Sequence, residues 1–496
     1  MKIIKNILLL TIFFISISCN HKDKFTEKKQ IVVTGKIHQY NGENAKLYFI
    51  YSQPGGKDSK ELINIDSVGN FQYAIEGYIP LDAMLLEQTT FANINFIYHP
   101  GDSIHLEFKT NEKQLPLLKT VKFSGDRAET NNHLINFQIL REENNLGYGV
   151  INPNEAYKKN TDDFITQMDS VKEKQLNIYN QFISKYTPNQ ETKNWAIYFA
   201  NETYFYFLDD YSIGKNDLPL NYFDYNKQIL PLTIDKLVSW RVLTSRINSY
   251  WRNITKPAIV QQFSDKMEEI KSGSINTDSL IINFINTESP DKLLSELLLA
   301  HYYSGQFGAN IINGYQQNQT LLNSSLDNFF IKEVLTENYQ ATYDFINKPN
   351  EFTNEILGKI DNTPIEKTFA KILNDNRGKI IYLDCWATWC APCIKAMPDS
   401  KKLMKKFEGK DIAFVYVCIE SEEDLWKRLL SEFNLGGGQH YLLNKEQSEF
   451  FRNALDIQGI PKYFLIDKNG NIVEQGSHLH PSEKLAEEKI DKLMKE

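Results

Sequence analysis

From Ile31 to Phe123 apolar and polar positions alternate in short runs: IVVTGKIH (31–38), AKLYFIYS (45–52), NFQYAIEG (70–77), NINFIYH (93–99), SIHLEFK (103–109) and TVKFS (120–124). A period of two puts every other side chain on one face, which is the pattern of a half-buried strand. Asn41-Gly42, Pro54-Gly55-Gly56, Val68-Gly69-Asn70 and Pro100-Gly101-Asp102 punctuate the runs with turn residues. The spacing predicts an antiparallel β domain over 31–125, a sandwich or partial barrel. This stretch carries no cluster of His, Asp or Glu at metal-ligand spacing, and no nucleophile beside a base.

After Gly125 the period lengthens to that of helices, over Asp162 to Tyr186, Asn194 to Leu208, Ile234 to Tyr250 and Asp291 to Tyr303. Leu293, Leu294, Leu297, Leu298 and His301 trace one face of the last. Pro188, Gly214, Pro219, Pro257, Gly273 and Pro290 stand as breakers between such segments. A helical middle domain over 126–362 follows. Its aromatic stripe, Tyr198, Phe199, Phe205, Tyr206 and Leu208, reads as interior packing before it reads as a ligand groove. Nothing in this domain announces chemistry.

From Ile365 strands and helices alternate. A helix (365–374) leads to the strand 379–386, then come a helix to about Phe407, the strand Ile412 to Ile419 and an amphipathic helix with Leu425, Trp426, Leu429, Leu430 and Phe433 on one face. A short strand His440 to Leu443, a helix Glu446 to Leu455, a hairpin turned at Asn469-Gly470 and a last helix Ser482 to Met494 complete an α/β domain over 363–496 with a mixed sheet. The whole is multidomain: β, then helical, then α/β.

The N-terminus concerns address. Lys2 and Lys5 precede an apolar run from Ile7 to Ile17, and small residues lead into Cys19. Charge, length and cleavage pattern predict a secretory signal over 1–18, and the run is too short to span a bilayer as a helix. Residues 19–30 are polar and read as a solvated tether. The chain has 496 residues, 55 Lys and Arg against 63 Asp and Glu, and a net charge of -8. Without a sustained basic stripe, nucleic acid is excluded as the expected partner.

Of five cysteines, Cys385, Cys390, Cys393 and Cys418 lie in the last quarter of the chain, which is not how disulfide staples are spread. Cys390 and Cys393 form a Cys-x-x-Cys within Trp389-Cys390-Ala391-Pro392-Cys393. The other two read as small buried hydrophobes rather than a second redox pair. Zinc at the Cys-x-x-Cys would need two further ligands nearby in sequence, and none stands there.

The strand ending LDCWATWCAPC, Pro398 in the next helix and Gly459-Ile460-Pro461 before a strand and Asn-Gly hairpin resemble the thioredoxin fold. Ser16-Ile17-Ser18-Cys19 resembles a bacterial lipobox, with Cys19 as the lipidated residue. With the long separation of Cys393 from Pro461, the chain resembles the TlpA-type thiol:disulfide oxidoreductases of bacterial envelopes. Pro100-Gly101-Asp102 and Phe123 to Asn131 resemble the β domain that precedes this module in such lipoproteins. The segment before Cys390 lacks the peroxiredoxin pattern, and Ala396-Met397-Pro398 has Ala where many TlpA-type chains carry Glu.

The resemblance implies roles. Cys390, at the mouth of a helix whose dipole favours a thiolate, is the expected attacking thiol, exposed to its substrate, and Cys393 is the shielded resolving thiol. Asp384 is the buried proton acceptor for Cys393, Pro461 the cis-proline facing the pair, Ile460 a backbone contact for an extended substrate, and Trp389 a neighbour of the pair. No cofactor and no metal are implied. The expected activity is disulfide reduction in the periplasm-facing envelope. A membrane thiol donor would supply electrons, exported disulfide proteins would be substrates, and lipid would hold the chain to the membrane. A disulfide isomerase or oxidase, or a partner-binding lipoprotein with a scaffold thioredoxin module, is the alternative.

Overall fold

The computed structural model describes residues 25–495, apart from 41, 43–45, 57, 111–112, 216, 273, 348–362, 434 and 436–437. The expected signal segment and Cys19 lie outside the described residues. The N-terminal part contains eight strands: β1 (Lys29–His38), β2 (Leu47–Tyr51), β3 (Ser59–Leu62), β4 (Asn70–Gly77), β5 (Leu81–Glu87), β6 (Ala92–Tyr98), β7 (Ser103–Lys109) and β8 (Lys122–Gly125). β1 starts at Lys29, inside the stretch expected to be tether.

The strands form two four-stranded sheets, ordered β4-β1-β7-β8 and β3-β2-β5-β6. Alternation sends Ile31, Val33 and Ile37 of β1 inward. Across the two sheets Phe49 stacks on Tyr73 at 4.7 Å and Phe96 meets Phe123 at 6.0 Å. One pairing departs from the antiparallel expectation, because β1 and β7 run parallel, Val32 opposite Ser103. β5 and β3 are also additions to the strands read from sequence. β5, LDAMLLE, does not alternate because it is covered on both faces.

What covers β5 and its neighbour is the helical region. The edge of β6 is closed by side chains of the Ala128–Glu143 helix. Asn131 Oδ1 accepts from Ile97 N at 2.8 Å while its Nδ2 donates to Ile97 O at 3.0 Å. Gln138, two turns on, accepts from Asn95 N and donates to Asn93 O. Two amide side chains thus stand in for a missing strand and satisfy backbone groups that would otherwise be open for pairing.

Long helices follow, among them Thr161–Tyr186, Gln190–Tyr211, Trp240–Tyr250, Lys292–Gly308 and Phe329–Asn347. Pro257 does not break the chain here. The Trp240–Tyr250 helix runs on through a π-helical turn, Trp251–Thr255, into Lys256–Gln262, and the wider turn accommodates the absent proline N–H. The aromatic stripe divides, with Phe205 and Leu208 buried and Tyr206 exposed. One hydrophobic cluster runs from Ile31 through Phe96 to Leu298 and Leu335, so the β sheets and much of the helical region share a core. The change of texture near Gly125 marks a change of secondary structure, with packing continuous across it.

The C-terminal part has its own core. Its strands are β9 (Ile380–Trp386), β10 (Ile412–Cys418), β11 (Gln439–Leu442), β12 (Lys462–Ile466) and β13 (Ile472–Gln475), in the order β11-β10-β9-β12-β13. β9, β10 and β11 are parallel, and β12 and β13 antiparallel. β9 is central and buried along its whole length, which carries its C-terminal end to the next helix, Ala391–Lys406. Phe345, near the end of Phe329–Asn347, packs against this core and its carbonyl accepts from Arg428 Nη1 at 3.2 Å.

Candidate active site

Chemistry gathers where β9 gives way to the Ala391–Lys406 helix. Cys390 is the N-cap residue, and its Sγ accepts from Cys393 N at 3.3 Å. Pro392 sits in the first turn, where a missing N–H costs nothing. Cys390 and Cys393 are joined in a disulfide. The exposure expected of Cys390 is corrected in this bonded form: it is 4% exposed and Cys393 1%. Both cysteines belong to the core cluster of this part, and beside them Trp389 is 39% exposed.

Trp389 is held by its indole Nε1, which donates to Glu420 O at 2.8 Å. Glu420 has a left-handed backbone (φ 48°) and its carboxylate pairs with Arg452 Nε at 2.9 Å. The loop before the disulfide is fixed by Thr388 N donating to Ser421 Oγ at 3.0 Å. The Ile460–Pro461 peptide, just before β12 and its pairing of Lys462 with Cys385 of β9, is cis, and both residues are half-buried.

Asp384 lies in β9 and is 2% exposed. Burial pushes its carboxyl up to about 8, and its Oδ1 has no hydrogen-bond partner. A carboxyl in that range exchanges protons near neutral pH, which is what a proton acceptor for a thiol needs.

Cys385 and Cys418 are free and fully buried. The register sets Cys385 opposite Val417 and Cys418 opposite Trp386, so the two thiols point to opposite faces of the sheet. Burial pushes both thiols up, Cys418 to about 12, which suppresses thiolate chemistry. Among the described residues no group of three or more His, Cys, Asp or Glu is placed to hold a metal ion. None of their helices is long and apolar enough to cross a membrane.

Three polar residues of the sheet around Asp384 were not singled out in the sequence: Tyr416 and Tyr463, opposite it on β10 and β12, and His440, opposite Tyr416 on β11. Each looks like an ordinary strand residue until the register is known.

The thioredoxin-like family matches residues 378–472. Thiol-disulfide oxidoreductase ResA of Bacillus anthracis is 28% identical over 103 residues, 21% of this chain and 57% of that protein. ResA of Geobacillus kaustophilus is 28% identical over 100 residues, 20% of this chain and 55% of that protein. The chain thus spans little more than half the length of these curated relatives. A Bacteroides vulgatus protein described as a thiol-disulfide oxidoreductase, known from a solution structure, is 34% identical over 25% of this chain and 78% of its own, with a TM-score of 0.23. Residues 378–472 thus form a thioredoxin-like domain, and the C-terminal part is similar to thiol-disulfide oxidoreductases.

Proposed function

We propose that the protein is a disulfide reductase of the bacterial cell envelope that works through the Cys390/Cys393 dithiol. The observation that carries this reading is the placement of the Cys pair at a helix N-terminus on the strand that buries Asp384. In the reduced protein the Cys390 thiolate attacks a substrate disulfide, and one substrate sulfur leaves as a thiolate. Cys393 then gives its proton to the Asp384 carboxylate and attacks Cys390 Sγ. The Cys390–Cys393 bond forms, the mixed disulfide breaks, and the second substrate thiolate departs. Two electrons have passed from the dithiol to the substrate.

Trp389, Ile460 and Pro461 frame the approach and fit an extended substrate segment beside the pair. Substrates on this reading are exported proteins with disulfides, and a membrane thiol donor restores the dithiol. The signal-like N-terminus and Cys19 supply the argument for lipid anchoring. The test is the equilibrium reduction potential of the pair in dithiothreitol or glutathione buffers. A value close to the roughly -270 mV of thioredoxin supports a reductase, and one near the roughly -120 mV of DsbA overturns it in favour of an oxidant or isomerase.

A further inference from the structure

The register of the C-terminal sheet sets four polar side chains in one row. Tyr416 is opposite His440 across β10 and β11, Tyr416 is opposite Asp384 across β10 and β9, and Asp384 is opposite Tyr463 across β9 and β12. Partners in register share a face, so all four point to the same side of the sheet. None of the four is more than 2% exposed.

The row is short of hydrogen bonds. His440 Nδ1, Tyr416 Oη, Asp384 Oδ1 and Tyr463 Oη are all buried without a partner. Ser400 of the Ala391–Lys406 helix is the hydrogen-bonding neighbour of the Tyr416 hydroxyl, through a contact whose geometry satisfies neither oxygen. Buried polar atoms are nearly always satisfied, so a run of them around one carboxyl calls for a role. The outer members are fixed. The His440 ring stacks on Tyr416 at 4.7 Å with 8° between planes, while His440 Nε2 meets Leu435 O at 3.0 Å. Tyr463 is packed between Tyr382, at 5.9 Å, and the edge of His480, at 5.6 Å.

We propose that Tyr416 and Tyr463 are positioning residues for the proton step at Asp384, their hydroxyls donating to its carboxylate when it is ionised and so setting how readily it takes the Cys393 proton. This deepens the reductase reading and rests on its assignment of Asp384 as the acceptor. The two phenols feel the carboxylate, since its charge, after burial, pushes both up. The other titratable groups influenced by Asp384 are Tyr382 on its own strand and the thiols of Cys385 and Cys418. Tyr382 is already committed, its hydroxyl donating to Leu479 O at 2.5 Å. Tyr463 Oη has no other partner and Tyr416 Oη only the poorly aligned contact with Ser400, so these are the two hydroxyls that can turn to Asp384.

The test uses the full chain, reduced, and an aromatic disulfide whose thiolate product is coloured. Cys390 attacks the reagent and releases one thiolate. Cys393 then passes its proton to Asp384 and bonds to Cys390 Sγ, and the Cys390–aryl sulfur bond breaks to release the second. The rate of the second release against pH isolates the resolving step. Asp384→Asn removes the acceptor, and Tyr416→Phe and Tyr463→Phe each remove one oxygen and keep the ring. The proposal expects the midpoint of the profile to rise by about one pH unit in the double Tyr variant, because a lost donor disfavours the charged carboxyl. The 13C shift of the Asp384 carboxyl, titrated in the same proteins, should move with it. Tyr variants that superimpose on the parent while Asp384→Asn differs would overturn the proposal and leave Asp384 as acceptor. A profile unchanged even in Asp384→Asn would overturn both.

Discussion

Trp195 donates its indole N–H to Asp82 at 2.9 Å, joining the Gln190–Tyr211 helix to β5 across 113 positions of sequence with both residues buried. Arg241 N donates to the other carboxylate oxygen at 2.9 Å. Trp195→Phe leaves that carboxylate one donor short in a closed site. The expected cost is about 1–3 kcal/mol of the stability of the shared β-helical core. Urea unfolding read in the N-terminal part checks it, and an unchanged midpoint would mean that the bond contributes nothing.

The same carboxyl gives a pH dependence. Burial pushes Asp82 up to about 6, against the pull of Arg241 and its hydrogen bonds. A folded value above the unfolded 3.8 means that the protonated form stabilises the fold. That contribution is complete below about pH 3.8 and is lost as pH rises through about 6. Asp82→Asn should flatten this part of the stability curve between pH 4 and 7, as measured by thermal unfolding.

Asp384 follows the same sign over a wider window, from 3.8 to about 8. Asp384→Asn is expected to stabilise the C-terminal part at neutral pH by up to about 4 kcal/mol, while slowing resolution of the mixed disulfide. Calorimetry at pH 5 and pH 9 should show the gain growing with pH. A gain that does not change with pH would contradict the burial of an ionisable group.

Cys390→Ser is expected to abolish disulfide reduction, and Cys393→Ser to accumulate a mixed disulfide through Cys390. Mass spectrometry after incubation with a disulfide-containing protein distinguishes the two. A stable adduct on Cys393 in the first variant would reverse the roles.

Gly438 offers a test of the row from outside it. A Cβ there would stand 2.5 Å from Tyr416 Cε2 and 3.2 Å from Phe414 O. Gly438→Ala must push the Tyr416 ring, at an expected cost of about 1–3 kcal/mol of overpacking. Chemical denaturation of the C-terminal part reads this directly.

The sequence made some parts legible because local pattern and final environment agree there. β4 and β7 alternate in sequence and alternate in burial, and the helix after Cys390 begins where its cap and proline predict. β5 was illegible because a strand covered on both faces loses its alternation. The Ala128–Glu143 helix was weakly marked because its buried face carries polar residues: Asn131 and Gln138, which close a sheet edge, and Thr130 and Arg141, which bond to neighbouring helices. At the site, Asp384, Cys390 and Cys393 lie within one ten-residue stretch of sequence and could be found. Tyr416 and Tyr463 are brought to Asp384, and His440 to Tyr416, only by strand order, which no short motif encodes.

Phe25 packs edge-on against Phe330 at 6.4 Å, and Lys28 Nζ pairs with Glu337 at 2.9 Å. Both partners belong to the Phe329–Asn347 helix, whose far end carries Phe345 into the core of the C-terminal part. The start of β1 and the approach to the redox module therefore share one helix. A shift of that helix would therefore be felt at both places at once, at Phe25 and Lys28 beside β1 and at Phe345 in the core of the redox module.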